Sequence, residues 1–574
     1  MAEEAWTSFL LPSRDPYPVP SMETFGEFLC SSLTFTQNLR EIRVYVNNKK
    51  RMTIHKTEIQ EPKPVEIRKN SGWFKTDGAI LTSPSGLFTL KDEQSLLESF
   101  YHVQVEVDGE IAAITARYLS AVARTKIPTT MVGRMERVMK KRPPSQLNVQ
   151  LFLRNQVVSE STSHTKAQRI VQSFVPTEEG KIFIGFRTSQ TTGVAAHLCA
   201  PFLPTVEREQ IDTQDPTLRV FNLELLHFAG ITARLALENG MKVLGVQYQK
   251  GSEERKRLED RLLQEAEQKG NQKKEPEGQV EPQASSDEND GDEESTAGGS
   301  AATSKSLFGF AKFMAKGVKR TIKTVVSNVS DLVVDNGGEL INPLDPRPLC
   351  GEEHQAILLM QAFCPRQSTP DSTVGTAFAE GFSRCLAGAP PVLTRTGVMP
   401  GNLGFLPNKG IEAFVEDGVI RSIVYENAKE YFDVVAQSRK LSLDDLTRCL
   451  ATKVLEEAKV VRLLKWWVKY NRIYPRTSTI RGVQLKETVK YFPKGSKDSG
   501  DTMDVLQLKD FLFRLDKDNL HLGSGLNRDD LPMPESVLPR SLQSEVGDRL
   551  LSDESLSVST PFACYIPSVC NCVH

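Results

Sequence analysis

The 574-residue sequence predicts a multidomain protein of mixed α+β and α/β class. Two small α/β sandwich domains should come first, then a disordered acidic linker, then a mainly helical domain. Three observations predict this. Alternating apolar residues and turn dipeptides crowd the first 250 positions, a stretch almost without apolar side chains follows, and helical periodicity dominates beyond it. The expected divisions are 1–125, 126–250, 251–306, 307–542 and 543–574.

The first block opens on "WTSFLLPSR", read as a strand from Trp6 to Leu11 with no preceding partner in the sequence. "SMETFGEFLCSSLTF" then sets Phe25, Phe28, Leu29 and Leu33 at helical spacing behind Ser21, a hydroxyl suited to capping the first free N–H groups. "EIRVYVNNKKRMTIHK" alternates Ile42, Val44 and Val46, then Met52 and Ile54, around Asn47–Lys50, a hairpin signature. Strands are expected at "PVEIRK", "GLFTL", "YHVQVEV" and "IAAITARYL", the last two joined through Asp108-Gly109.

The second block begins with a basic helix, "MVGRMERVMKKRPPS", stopped by Pro143-Pro144. Strands "LNVQLFLRN" and "KIFIGF" follow. A long helix is expected from about Thr217, with Asp215 as its cap and Pro216 at the first helical position, where a missing N–H costs nothing. Val220, Leu223, Phe228, Ile231 and Leu235 form its apolar stripe. "SEERKRLEDRLLQEAEQK" reads as a solvated helix stitched by Glu253/Arg257 and Lys256/Asp260. The run to about Ser304, acidic at Asp287–Glu294, has too few apolar groups to offset its ordering entropy. In the third block "GEEHQAILLMQAF", "TVGTAFAEGFSRCL", "KGIEAFV" and "LTRCLATKVLEEAKVVRLLKWWVKYNR" read as helices.

Composition narrows the function classes. With 71 Lys and Arg against 73 Asp and Glu, the net charge of −2 argues against a surface built as a whole for nucleic acid. The nine cysteines are scattered singly, which is intracellular usage rather than a disulfide framework. No signal peptide opens the chain and no window approaches 18 consecutive apolar residues. A soluble, intracellular protein is expected, in the cytoplasm rather than the nucleus.

"GKIFIGFRTSQTTGVAAHLC" holds Gly185 and Gly193 eight apart with no following lysine, so neither a phosphate loop nor a dinucleotide fingerprint fits. Ser189 and His197 have no nucleophile elbow around them, and His197 and His227 have no metal-ligand spacing, so core histidines are expected. Asp335-Asn336-Gly337-Gly338 resembles part of an adenine-binding box, yet the preceding helix carries no Glu. Arg134, Arg137, Lys140, Lys141 and Arg142 form one basic patch. Lys312, Lys316, Lys319, Arg320 and Lys323, interleaved with Phe310 and Phe313, form a second that suits an anionic membrane surface, an acidic partner groove or the chain's own acidic tract. Cys570, Cys572 and His574 offer soft ligands, but prenylation would need cysteine where Asn571 stands. No cofactor, metal or specific nucleic-acid site is expected, and catalysis by the chain alone is not.

Several stretches carry a resemblance: "FGEFLCSSLTFTQNLREIRVYVNN", "FIGFRTSQTTGVAAHLCAPFLPTVERE", "LLHFAGITARLALENG", "FMAKGVKRTIKTV", "QAILLMQAFCPRQSTPDSTVGTAFAEGFSRCL" and "KGIEAFVEDGVIRSIVYENA". They are similar to large, uncharacterised fungal proteins that pair an N-terminal ATPase domain of the gyrase, heat-shock chaperone and histidine-kinase type with a long region of unknown function. A more distant likeness is to sacsin-type chaperone repeats, through Phe9–Arg14 and Phe186–His197. The resemblance implies that Trp6–Leu11 is the last strand of such an ATPase domain whose nucleotide-binding boxes this chain lacks. ATP would then be bound only where an upstream domain supplies the site. It also implies that Arg187 and Gln190 are the residues placed to reach a γ-phosphate, and that protein clients or partners are handled by the rest. A connecting turn is the plainer reading of the same loop. The stretch 543–574 departs from the family and reads as an atypical tail, the expected mark of a truncated gene product.

Overall fold

A computed structural model describes residues 20–65, 81–90, 93–140, 142–155, 165–259, 347–473 (except 386, 387, 409 and 416), 488–492 and 506–507, with Thr7 and 261–262 besides. The chain divides into two compact units, Met1–Gly251 with Leu349–His574, and Ser252–Pro348. In the second unit residues 252–259 are helical, and Arg257 lies 3.8 Å from Glu253, both exposed, as the charge spacing predicts. The strand expected at Trp6–Leu11, the acidic tract, the basic amphipathic stretch with Phe310, Phe313, Lys312, Lys316, Lys319, Arg320 and Lys323, the Asp335–Gly338 turn and the tail lie outside the described residues.

The first unit begins with α1 (Met22–Ser32), whose Ser21 hydroxyl accepts the Thr24 N–H as the sequence predicts. The hairpin of β1 (Glu41–Val46) and β2 (Lys49–Glu58) turns on Asn47 and Asn48, both at positive φ (51° and 61°). Asparagine tolerates that left-handed conformation, and such turns match strand twist. Short strands β3 (Lys63–Pro64), β4 (Leu81–Thr82) and β5 (Phe88–Leu90) precede β6 (Leu96–Val107), which pairs with β7 (Glu110–Thr125) across the Asp108-Gly109 turn. After α2 (Thr129–Met139) come β8 (Gln146–Arg154), α3 (Lys166–Gln172), β9 (Lys181–Phe183), β10 (Arg187–Thr191) and β11 (His197–Cys199).

All of these strands belong to one mixed sheet, whose main path runs β1-β2-β6-β7-β8-β11-β9-β10. The expected pair of separate sandwiches is therefore corrected: β7 and β8 pair from Ala116↔Arg154 to Arg124↔Gln146, across the expected boundary at 125/126. The intervening basic helix hides this from local patterning, because register between distant strands is set by buried faces.

One face of the sheet packs on α1 and α3, with Val103, Val105, Phe152, Ile170 and Phe174 buried between them. The other face packs on α4 (Pro216–Lys250), a 35-residue helix capped by Asp215, whose carboxylate accepts the N–H groups of Thr217 and Leu218. Its length and mean hydropathy of 1.3 would allow a membrane crossing, but 83% of that window is buried inside the protein. Its far side is covered by α5 (Gly351–Ala362) and α6 (Ser372–Arg384). The α4–α6 crossing is backbone to backbone: a Cβ at Gly230 would stand 2.1 Å from the Phe378 carbonyl oxygen, and one at Gly381 the same distance from that of His227. Only glycine permits that approach.

Beyond α6 the chain is mainly helical, with a hairpin of β12 (Pro391–Thr394) and β13 (Gly397–Pro400) and a small parallel pair, β14 (Phe405–Leu406) with β15 (Arg439–Lys440). After α7 (Ser422–Asn427), the long helix expected over residues 446–472 is broken: α8 (Leu443–Thr452) ends, β16 (Val454–Glu456) intervenes, and α9 (Glu457–Ile473) resumes. Pairing of β16 with β17 (Lys490–Phe492) extracts those residues from the helix, and Trp467 and Tyr491 are buried in the core there.

Candidate functional site

The β9–β11 segment splits into two ends with opposite properties. At the β10–β11 end, Gln190 is fully buried and its side-chain amide is completely engaged. Nε2 donates to the carbonyls of Thr191 (3.0 Å) and Asp371 (3.1 Å), and Oε1 accepts the Asp371 N–H. Thr191 N donates to Thr369 O, Thr369 N donates to the Thr191 hydroxyl, and Arg366 N donates to Gly193 O. Gly193 (φ +76°) allows the contact, since a Cβ there would lie 2.7 Å from the Gly375 Cα. The glycine read in the sequence against a phosphate cradle thus seats the approach to α6. The Asp371 carboxylate caps α6 through Thr373 N and also accepts from the Thr213 hydroxyl at 2.5 Å.

At the β9–β10 end the chain is open. Gly185 turns at φ +79°, Phe186 is 44% exposed, and Arg187 is exposed with no ion pair among the described residues. So Arg187 and Gln190, three residues apart, are not brought together: one faces solvent, the other is locked into the fold.

The remaining polar groups of the segment are structural. His197 is buried, its Nδ1 accepts the Lys181 N–H at 2.9 Å, and burial, helped by Arg187 and Lys181, drops its pKa to about 3. It stays a neutral imidazole, as the core reading expects. Ser189 donates to Glu209 O rather than to His197. Burial raises the Cys199 thiol to about 11, far from the thiolate a nucleophile needs. Among the described residues no cluster of His, Cys, Asp and Glu could hold a metal ion.

In the basic patch, Arg134 donates to the Thr217 hydroxyl at the start of α4, and Arg137 to its own helix at Gly133 O. Lys140 closes α2 in the left-handed conformation and is exposed, as is Arg142; Lys141 lies outside the described residues.

Two polar clusters escape sequence reasoning. His227, expected to be an isolated core residue, sits between Glu380 on α6 (Nε2 to Oε2, 3.3 Å) and Glu224 one turn back on α4 (3.9 Å). Glu224 is buried and accepts the Ser85 N–H at 3.2 Å on both oxygens. Burial pushes its pKa up, but His227, Ser83 and Ser85 outweigh that and hold it below the ordinary range. Glu224, and then Glu380, hold His227 above its ordinary value against burial. The second cluster is deeper: Glu353 on α5 receives Arg421 Nη1 at 2.7 Å, the Tyr248 hydroxyl at 3.1 Å and Cys350 N at 2.9 Å. Each set is completed by partners from distant elements, Glu380 and Ser85 for one and Arg421 and Tyr248 for the other, which leave no local signal.

The same segments carry the likeness to known proteins. Residues 103–273 and 351–557 match a family of proteins of unknown function, DUF3684, a match that spans more than half the chain. The chain belongs to that family. No curated protein and no solved structure matches it. The two matched segments bring β7–β11 and α4 together with α5 and α6, the elements that build the clasp at Gln190 and the glycine crossing.

Proposed function

We propose that this chain is a coupling region of a chaperone-like, ATPase-associated protein, without catalysis of its own. In this reading a nucleotide-binding domain supplied elsewhere meets the β9–β10 end, Arg187 reaches toward the terminal phosphate, and the partner or client is handled by the rest of the chain. The observation that carries it is the pairing of an exposed guanidinium, without an ion pair among the described residues, with an adjacent hydrogen-bonded clasp; in this reading movement at Arg187 would pass through Gln190 and Gly193 to the start of α6. Gln190 then acts as part of the coupling rather than as a phosphate contact, because both of its amide donors are already used. A fixed donor aimed at developing phosphate charge contributes far more than one that must reorganise.

The test is ATP turnover by this chain fused behind an ATPase domain of the gyrase and heat-shock chaperone type. Arg187→Ala should lower kcat by about a hundredfold or more. Unchanged turnover would remove the reading. The chain alone should show no ATP binding by calorimetry. The alternative, a scaffold docking an anionic membrane or acidic partner through Lys312, Lys316, Lys319, Arg320 and Lys323, rests on sequence. It is tested by co-sedimentation of the full chain with phosphatidylserine vesicles and its reversal by Lys316→Glu/Lys319→Glu.

A further inference from the structure

We propose that the gap between the first half of β8 and the β9–β10 turn is a strand-wide slot that binds an extended peptide of alternating acidic and β-branched apolar residues. The inference does not rest on the role proposed for Arg187.

The slot follows from topology. In the sheet β11 lies between β8 and β9, but it pairs with β8 only at Gln150, Leu151 and Phe152. The chain then runs through Ala200 into Pro201, which has no N–H to continue the ladder. From Gln146 to Val149, β8 therefore has β7 on one side and no strand on the other among the described residues. Neighbouring strands stand about 4.8 Å apart, so removing one from between two leaves room for one strand. The place is an open groove of about 480 Å³, lined among others by Pro144, Gln146, Asn148, Ile184, Gly185 and Pro201.

The free backbone groups can be assigned. Thr125 N donates to Ser145 O and Asn155 N to Thr115 O, so the odd-numbered residues of β8 face β7. Antiparallel bonding alternates, which turns the N–H and C=O of Gln146 and Asn148 into the slot. Pairing with such an edge is a general mode of peptide recognition, in which backbone bonds give affinity and alternate side chains give specificity.

The two faces of the slot set the occupant's chemistry. On one, Leu147 and Ala200 are buried in the main core and Ile184 packs against it, an apolar floor for every second side chain. On the other, Arg124 stands opposite Gln146 and Val122 opposite Asn148, both exposed. Exposed Lys126 follows the end of that strand, and exposed Lys140 and Arg142, the latter 3.9 Å from Glu136, lead into Pro144. Among the described residues no carboxylate lines the groove. The partner is thus an extended segment with acidic groups toward the cations and β-branched groups toward the floor. The slot spans Gln146–Asn148, so roughly 10 Å of strand pairs, at about 3.3 Å per residue.

The experiment uses the full chain and a fluorescein-labelled probe, acetyl-Glu-Val-Glu-Val-Glu-amide. The probe should bind saturably and slow hydrogen exchange at Gln146 and Asn148, whose amides should exchange fast in the free chain while those of Leu147 and Val149 stay protected. Asn148→Pro removes a donor that β7 does not use and should weaken binding about tenfold. Arg124→Glu/Lys126→Glu alters only exposed side chains, guards against a folding defect in the proline variant, and should shift preference toward the Lys-Val-Lys-Val-Lys counterpart. Absence of saturable binding overturns the proposal, as does equal binding by both variants. Slow exchange at Gln146 and Asn148 in the free chain overturns it too, because a segment of the chain itself would already fill the slot.

Discussion

The two ends of the β9–β11 segment are made of similar residues and have opposite fates. Thr188, Gln190, Thr191 and Thr192 are buried, and each of their side chains has a hydrogen-bond partner in the fold. Gly185, Phe186 and Arg187, a few positions earlier, face outward. A loop rich in glycine, hydroxyls and amides is thus ambiguous until its neighbours are known. At one end the segment itself and Thr369 and Asp371, just ahead of α6, supply partners and convert polar groups into structure; at the other, among the described residues, none pairs with the Arg187 guanidinium.

The largest expected effect that would sharpen this contrast lies at the buried Glu353–Arg421 pair. Glu353→Ala leaves Arg421 buried beside an absent partner, both side chains being at most 3% exposed in the native chain. It should cost about 3–5 kcal/mol in denaturant unfolding. Gly381→Ala forces a methyl into the His227 backbone and should cost about 1–3 kcal/mol, the usual range for overpacking. At the clasp itself, Gln190→Ala takes the partner from the half-buried Asp371 N–H and one of two donors from its carbonyl, which keeps the Ser368 hydroxyl, and should cost about 1–3 kcal/mol. Arg187→Ala should change stability by less than about 0.5 kcal/mol. Equal losses for these last two would erase the distinction between a locked and an open end.

A smaller effect concerns pH. The folded pKa of His227 is raised above 6.5, so its contribution is full below about that pH and is lost as pH rises through the folded value. The folded pKa of Glu224 is lowered below 4.5, so its contribution is present above about that pH and is lost as pH falls through the folded value. The α4–α6 contact should hold best between the two. Thermal unfolding followed from pH 5 to 9 should show a decline on the alkaline side that His227→Asn flattens; an identical profile for that variant would remove the cluster from the pH response.

Local chemistry was legible in the sequence wherever cause and effect are close along the chain. The Ser21 and Asp215 caps, the Asn47-Asn48 and Asp108-Gly109 turns and the start of α4 each depend on residues within a few positions. The β7–β8 pairing was not legible, because its register is set by faces buried against α4 and by an intervening helix. The burial of Gln190 depends on Asp371, and Glu380 beside His227 and Arg421 beside Glu353 also come from distant elements. The edge at Gln146–Asn148 was hidden for a related reason: Pro201 signals where a strand stops, but not which neighbour it leaves unpaired.

Lys56 shows how one such distant partner governs a helix. Its ammonium donates to the carbonyls of Leu33, Thr34 and Thr36, at 3.0, 3.1 and 3.0 Å, just past the end of α1, and lies 4.5 Å from the Tyr101 ring centroid. Burial lowers its pKa to about 8. An acetyl group on that nitrogen would take away the charge and two of three donors at once. The helix α1 would then be held at its start by Ser21 and loose at its end.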